Sequence, residues 1–291
     1  MKRIKIIYTM TAPVSHIGQV SSIESYFNTV TTAYGKIPVI TGNTVRGILR
    51  DCGAKKLLDT YNKAVEKEAF NVLFSGGTLS GSTKNDVGRA KEVRNHFPLL
   101  SLLGGGLGTM IMAGNLLSGF LYPICTETEQ ITKINSKTSW HDLIDEIEFT
   151  RTDDTKKDKN LKYIKDVEAE SVGKAATQMR TSVQYMAAGT KFSQELLLLD
   201  TSTEMEEAVL YSCLHEWFKY HTIGGMQSKG FGFFDAESEH ISVIDGNIEI
   251  SDYAKSLIEK YEDFLATENF DETVNLLISK KVKKVKNDKQ S

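Results

Sequence analysis

The stretch Ile37-Pro38-Val39-Ile40-Thr41-Gly42-Asn43-Thr44-Val45-Arg46-Gly47 closes an apolar run and opens a helix. Asn43 has a side chain suited to capping, and Val45, Ile48, Leu49 and Cys52 follow at i, i+3, i+4 and i+7. The pattern predicts a helix running to about Phe70, with a break near Gly53. A helix start presents unpaired backbone N–H groups and the positive end of the dipole. Arg46 and Arg50 stand within its first two turns, so a phosphate would be well placed there. A capped helix carrying two solvated arginines fits the same residues.

Upstream, Ile4–Met10 alternates basic and apolar residues before an unbroken apolar stretch, which predicts a first strand with at least one buried face. Between that strand and the helix, residues 11–42 carry Pro13, Gly18, Gly35 and Pro38 among Ser and Thr, and read as a long irregular excursion. Its single histidine, His16, has no nearby lysine or second histidine to form an acid–base pair. No Asp occurs between Met1 and Arg50, and Glu24 is the only carboxylate there.

Downstream, 75–88 is rich in Gly, Ser and Thr and leads into a basic cluster of Arg89, Lys91, Arg94 and His96. Gly104–Gly108 lacks the strand-then-helix context that a dinucleotide site requires. Met110–Ile124 reads as a strand pair, and 126–170 as a polar protrusion. Residues 175–199 fit a β-hairpin turning at Ala187-Ala188-Gly189-Thr190, with Arg180 and Tyr185 on the projecting ribbon. Thr203–Tyr220 is an amphipathic helix with acidic first turns. A second glycine loop, Gly224–Gly232, offers Ser228 and Lys229 to a phosphate, although such a loop is more often a tight turn. A strand at Ile241–Ile250, two short helices and a basic tail over 280–291 complete the chain. The order of elements is that of a ferredoxin-like or RRM-like α+β core carrying insertions.

Charge is unevenly spread although the net value over 291 residues is only -3. Residues 1–125 hold 14 Lys+Arg against 7 Asp+Glu, whereas residues 201–275 hold 4 against 16. Such asymmetry suits a protein that offers a basic face to a polyanion and an acidic one to a basic neighbour; a patchwork of solvated faces has the same composition. No apolar run approaches 18 residues and no signal-peptide cleavage pattern follows the start, so a cytoplasmic protein without membrane contact is expected. Cys52, Cys125 and Cys213 are too scattered for a disulfide framework or a zinc site, and no cofactor or metal is expected.

Four segments occur in an order that resembles the RAMP superfamily, and within it the Cas-seven-type backbone subunits of class 1 CRISPR effectors, with type IV the most similar variety. They are His16-Ile17-Gly18, Ile37–Gly47, Ala188-Gly189-Thr190-Lys191-Phe192 and Gly224–Gly232. The resemblance implies an RRM-like palm over 1–291 with inserted fingers at about 75–96 and 126–170 and a thumb-like hairpin at about 175–195. It implies a guide RNA, a complementary nucleic-acid target, further copies of the chain head to tail and other effector subunits as partners. By that likeness Asn43, Thr44 and Arg46 face guide phosphates and Lys229 lines the same groove. His16, Arg50, Arg180 and Ser228 complete the expected RNA-binding set. Relatives that cleave RNA use an aspartate in the loop after the first strand, which here is replaced by Ser25-Tyr26-Phe27-Asn28-Thr29-Val30. A non-catalytic subunit is therefore expected. An RNA-processing endonuclease would need His16 as a positioned base, and a small-molecule nucleotide enzyme would need Gly104–Gly108 to hold phosphate.

Overall fold

The computed structural model describes residues 1–21, 23–77, 87–151 and 179–278. Its principal sheet is antiparallel and begins with β1, Lys2–Met10. Alternation sends Ile4, Ile6, Tyr8 and Met10 into the core and leaves Arg3, Lys5, Ile7 and Thr9 on the other face. Two hairpins follow, β2 (Ile17–Val20) with β3 (Glu24–Phe27), then β4 (Thr29–Thr32) with β5 (Gly35–Pro38). Residues 17–38 are thus mostly paired strands rather than an irregular excursion: Gly18, Gly35 and Pro38 sit within strands, and runs of only four residues are too short to announce themselves by periodicity.

Helix α1 spans Gly42–Tyr61 without a break at Gly53, where a Cβ would come within 2.5 Å of the Leu99 side chain and 2.8 Å of Cys213 Sγ. It stops well before Phe70, at Asn62 in the left-handed conformation. Then come α2 (Lys67–Ser75), α3 (Val87–His96), α4 (Pro98–Leu103), the hairpin of β6 (Gly105–Leu107) and β7 (Met110–Met112), β8 (Leu116–Ser118) and β9 (Tyr122–Pro123). A turn of helix α5 (Glu129–Thr132) precedes β10 (Ile144–Arg151), β11 (Met179–Met186) and β12 (Lys191–Leu198). The chain continues through α6 (Glu204–Phe218), β13 (Phe234–Glu237), β14 (Ile241–Ile244), β15 (Asn247–Ile250), α7 (Asp252–Thr267) and α8 (Phe270–Thr273).

The principal sheet runs β15-β14-β13-β1-β12-β8, with β9 also pairing β12. Its central part, β13-β1-β12-β8 with α1 and α6 as connecting helices, is the strand order of a ferredoxin-like palm, as expected. Tyr8 packs on Trp217 and Phe234 at 5.8 and 5.2 Å between ring centroids, joining strand to helix in the core. Among the described residues no helix is long and apolar enough to cross a membrane.

A second sheet, β10-β11-β3-β2, corrects the hairpin expected around Ala187–Thr190, of whose span 175–178 lie outside the described residues. β11 pairs β10 and β3, whereas β12 pairs β1, so the strands on either side of Ala187–Thr190 belong to different sheets and form no hairpin. Residues 186–190 instead run along 10–14: Val14 bridges Met186, and Gly189 N–H donates to Met10 O at 2.7 Å. Of the expected fingers, 87–96 is a helix with Ala90 and Val93 buried, and 126–132 is folded against the palm with Thr128 buried. The second expected finger also contains β10, and 78–86, 152–170 and the tail at 280–291 lie outside the described residues. Gly104–Gly108 forms the start of the β6–β7 hairpin and opens no helix.

Candidate nucleic-acid interface

The N-terminus of α1 is capped by Thr41, not by Asn43. Thr41 has extended backbone (φ -73°, ψ 145°), and its Oγ1 accepts from Thr44 N–H at 3.3 Å and lies 3.0 Å from Thr44 Oγ1. Asn43 is left exposed one residue into the helix, and Thr44 is half-buried. The signal was present in the sequence as a Thr three residues before another Thr. Gly42 is obligatory for a reason outside the helix: a Cβ there would stand 2.1 Å from Ser118 O. The helix start is thereby pressed onto the strand region 118–121, where Ile40 also bridges Leu121.

His16 links this start to the glycine loop. Its Nε2 accepts from Thr41 N–H at 3.3 Å, which requires the neutral ring on that nitrogen. Burial lowers its pKa, and its ring meets Phe27 edge to face at 6.2 Å. The preceding carbonyl, Ser15 O, accepts from Gly225 N–H at 2.8 Å. Gly224 has φ +84° and a Cβ there would fall 2.4 Å from the same oxygen, so glycine permits this approach of two backbone segments. Three motifs meet through Ser15 and His16, two of them 25 residues apart and the third, at Gly225, about 200 residues further along the chain.

Beyond the glycines, Gln227–Lys229 forms a 3-10 turn that exposes Ser228 and Lys229. Lys229 Nζ lies 3.9 Å from the centre of the Phe149 ring on β10, a cation–π contact that no local sequence signal foretells. Arg180 is exposed on β11 but does not join it. Phe149 pairs with Thr181 and Thr150 with Arg180, so Arg180 points from the opposite face of the ribbon.

Arg46 and Arg50 are turned inward. Arg46 Nη1 donates to Leu116 O at 2.7 Å and its Nη2 to Leu103 O at 2.5 Å. Arg50 Nη2 donates to Gly104 O at 2.9 Å and Leu103 O at 3.2 Å, while its Nη1 is buried without a partner. Burial lowers both pKa values. The two guanidinium groups satisfy carbonyls at the end of α4 and on β8, fixing them against α1. The basic cluster on α3 is likewise engaged: Arg94 donates to Ser101 Oγ and Ala113 O, and His96 meets Glu268 at 2.9 Å.

Glu24 accepts from Tyr26 and sits at the end of the β2–β3 hairpin remote from His16, since Val20 pairs Ser25 whereas Ile17 pairs Phe27. Among the described residues no group of three or more His, Cys, Asp or Glu side chains could hold a metal ion. The three cysteines are buried and unpaired.

These features define an α+β protein of ferredoxin-like class, with a second sheet inserted and a capped helix start joined to a glycine loop. The profile of the RAMP superfamily matches residues 8–235, and the chain belongs to that superfamily. No curated protein sequence matches it. Its fold is similar to that of a chain described as "Type IV-B CRISPR Complex", at 16% identity and a TM-score of 0.57, covering 82% of this chain and 90% of the other.

Proposed function

We propose that this chain is a non-catalytic backbone subunit of a class 1 CRISPR effector, which binds guide RNA through its sugar-phosphate chain and assembles with copies of itself and other subunits. The observation that carries the reading is the meeting of His16, the α1 start and the Gly224–Gly232 loop at one place. A helix start and a glycine turn bearing Ser228 and Lys229 supply backbone N–H groups, hydroxyls and a cation, which recognise phosphate without reading bases. Superfamily membership and the fold shared with a type IV-B complex chain point the same way. The non-catalytic part of the reading rests on His16, whose Nε2 is occupied by Thr41 N–H and which has no carboxylate beside it on the hairpin.

The test is to purify the chain from cells expressing its guide RNA, sequence the RNA that accompanies it, and measure affinity against salt. Steeply salt-dependent binding, similar for unrelated sequences, is expected. Labelled complementary RNA should survive incubation with the guide-loaded assembly and magnesium; cleavage abolished by His16→Ala would establish the endonuclease alternative instead.

A further inference from the structure

The second sheet has a free edge at β2, which pairs β3 on one side and no described strand on the other. All four of its residues are exposed. Ser21 N–H donates to Glu24 O and Asn28 N–H to His16 O just beyond its two ends, so alternation along the ladder turns the amides of Val20 and Ile17 outward. Apolar side chains stand beside that edge, with Val20 70% and Ile23 55% exposed and Ile17 and Tyr26 also open to solvent. β2 is short and bulged at Gly18, but it carries neither a lysine nor a proline to turn another chain away. One face of the same sheet is acidic. Ser182 on β11 pairs Glu24 on β3 and Glu148 on β10, and Gln184 pairs Glu146, so the three carboxylates share a face. Glu24 and Glu146 accept from the hydroxyls of Tyr26 and Ser182, and among the described residues none of the three forms an ion pair. Residues 11–35 contain no Lys or Arg. A polyanion is repelled here, whereas a basic and partly apolar segment is matched.

Such a segment leaves the molecule at its other end. Beyond Ile278, residues 279–291 hold six lysines and two valines, Val282 and Val285, against one acidic side chain, Asp288. Helix α1 separates the two places. His16, which leads into β2, bonds the backbone at Thr41 before the first turn of α1, whereas Tyr61 in its last turn stacks on Phe270 of α8 at 4.6 Å. Its 20 residues put about 30 Å between those ends. The turn that precedes the segment, Val274–Leu277, is tied to α3 by Arg89 Nε, which donates to Leu276 O at 2.7 Å. A fully extended segment of this length reaches at most about 45 Å, so within one chain it would be nearly used up in passing along α1. A following copy brings its own β2 to the segment. Carboxylates closer to the chain end are already engaged, since Glu262 and Asp271 face Lys56 and Lys63.

We propose that the basic segment 279–291 of one copy docks on the β2 edge and the acidic face beside it in the next copy. Its valines meet Ile17, Val20 and Ile23, its lysines meet Glu24, Glu146 and Glu148, and its main chain takes up the outward amides of β2. The proposal rests on the assembly of the chain with copies of itself read above, and names the two surfaces that meet. They are unlike and lie toward opposite ends of α1, so the contact propagates rather than closes.

The test mixes equal amounts of unlabelled and heavy-isotope-labelled full-length chain with RNA long enough for several copies. A carbodiimide then joins lysines to carboxylates in direct contact, and mass spectrometry identifies the joined peptides. Links from Lys280–Lys289 to Glu24, Glu146 or Glu148 are expected, half of them between light and heavy chains. Links within one isotope only, or none to these carboxylates, overturn the proposal. Lys283→Glu with Lys284→Glu should weaken self-association about tenfold or more, as should Glu146→Lys with Glu148→Lys. The four changes together should restore it, which separates a lost contact from a misfolded variant; no restoration counts against the contact. Lysine variants that associate normally, yet lose affinity and salt slope for a strand too short for two copies, place the segment on RNA and overturn the proposal too. RNA-dependent arrays that form without these links leave the assembly reading standing and remove this contact alone. A chain that never associates, with or without RNA, removes both.

Discussion

Arg46 and Lys229 were paired by the sequence as phosphate ligands, and the structure separates them. Arg46 gives both terminal nitrogens to carbonyls of its own fold, whereas Lys229 is exposed over Phe149. Arg46→Ala should therefore destabilise the fold by about 2–3 kcal/mol, because two hydrogen bonds from a charged group are lost and Leu103 O keeps only the longer one from Arg50. Lys229→Ala should change stability by less than about 0.5 kcal/mol and reduce the salt slope of RNA binding by about one. Thermal unfolding together with a salt titration of both variants checks this. An Arg46→Ala protein as stable as the parent, with the reduced salt slope, would return Arg46 to the phosphate. Arg46→Lys should not rescue stability, since an ammonium cannot span two carbonyls as the planar fork does.

At the scale of elements, the loop from α5 to β10 depends on one carboxylate. Burial alone would raise the pKa of Glu127, but hydrogen bonds from Ser139, from its own backbone N–H, from Cys125 and from Trp140 N–H outweigh it and hold it at about 2. A group depressed on folding contributes stability above its unfolded pKa, about 4.3 for Glu, and loses it as pH falls through the folded value. The 134–142 loop should be insensitive to pH near neutrality and loosen between about pH 4.3 and 2. Acrylamide quenching of Trp140, which stacks on His141 at 3.7 Å, reports it. Glu127→Gln should show the loosened quenching already at neutral pH and lack the acid transition; a pH-independent loop in the parent would contradict the assignment. The crossing at Ala187–Thr190 is a second lesson at this scale. Two eight-residue strands around a Gly-containing turn satisfy every local rule for a hairpin, yet Met186 and Thr190 take partners from residues 10–14. Local rules see turn chemistry, whereas strand partners are chosen by long-range packing.

For the whole molecule, the acidic C-terminal half gathers on the helical side. Asp252, Glu259, Glu262 and Asp263 of α7 and Asp271 and Glu272 of α8 are exposed, with Lys56 and Lys63 of α1 and its end neutralising Glu262 and Asp271. A surface so polarised suits contact between unlike faces of successive copies, and a heterologous contact of that kind propagates rather than closes. Scattering with RNA of increasing length should show particle mass rising in steps of one chain and becoming rod-like. A monomer at every RNA length would refute head-to-tail assembly.

The sequence by itself determined the α+β class, the order of strand and helix in the palm and the α1 and α6 helices, because periodicity is a local property. The capping of α6 was legible in the same way, with Thr203 and Glu206 forming a reciprocal box. Tertiary structure alone decided that Gly42 answers to Ser118 and Gly224 to Ser15, that β11 and β12 part company, and that Lys229 rests on Phe149. It also decided that Arg46 and Arg50 serve the fold. A basic residue one turn into a helix has the same pattern whether its guanidinium meets solvent, phosphate or a carbonyl. Here the carbonyls of Leu103 and Leu116 lie more than 50 residues away in sequence and are brought into reach only by the packing of α4 and β8 on α1.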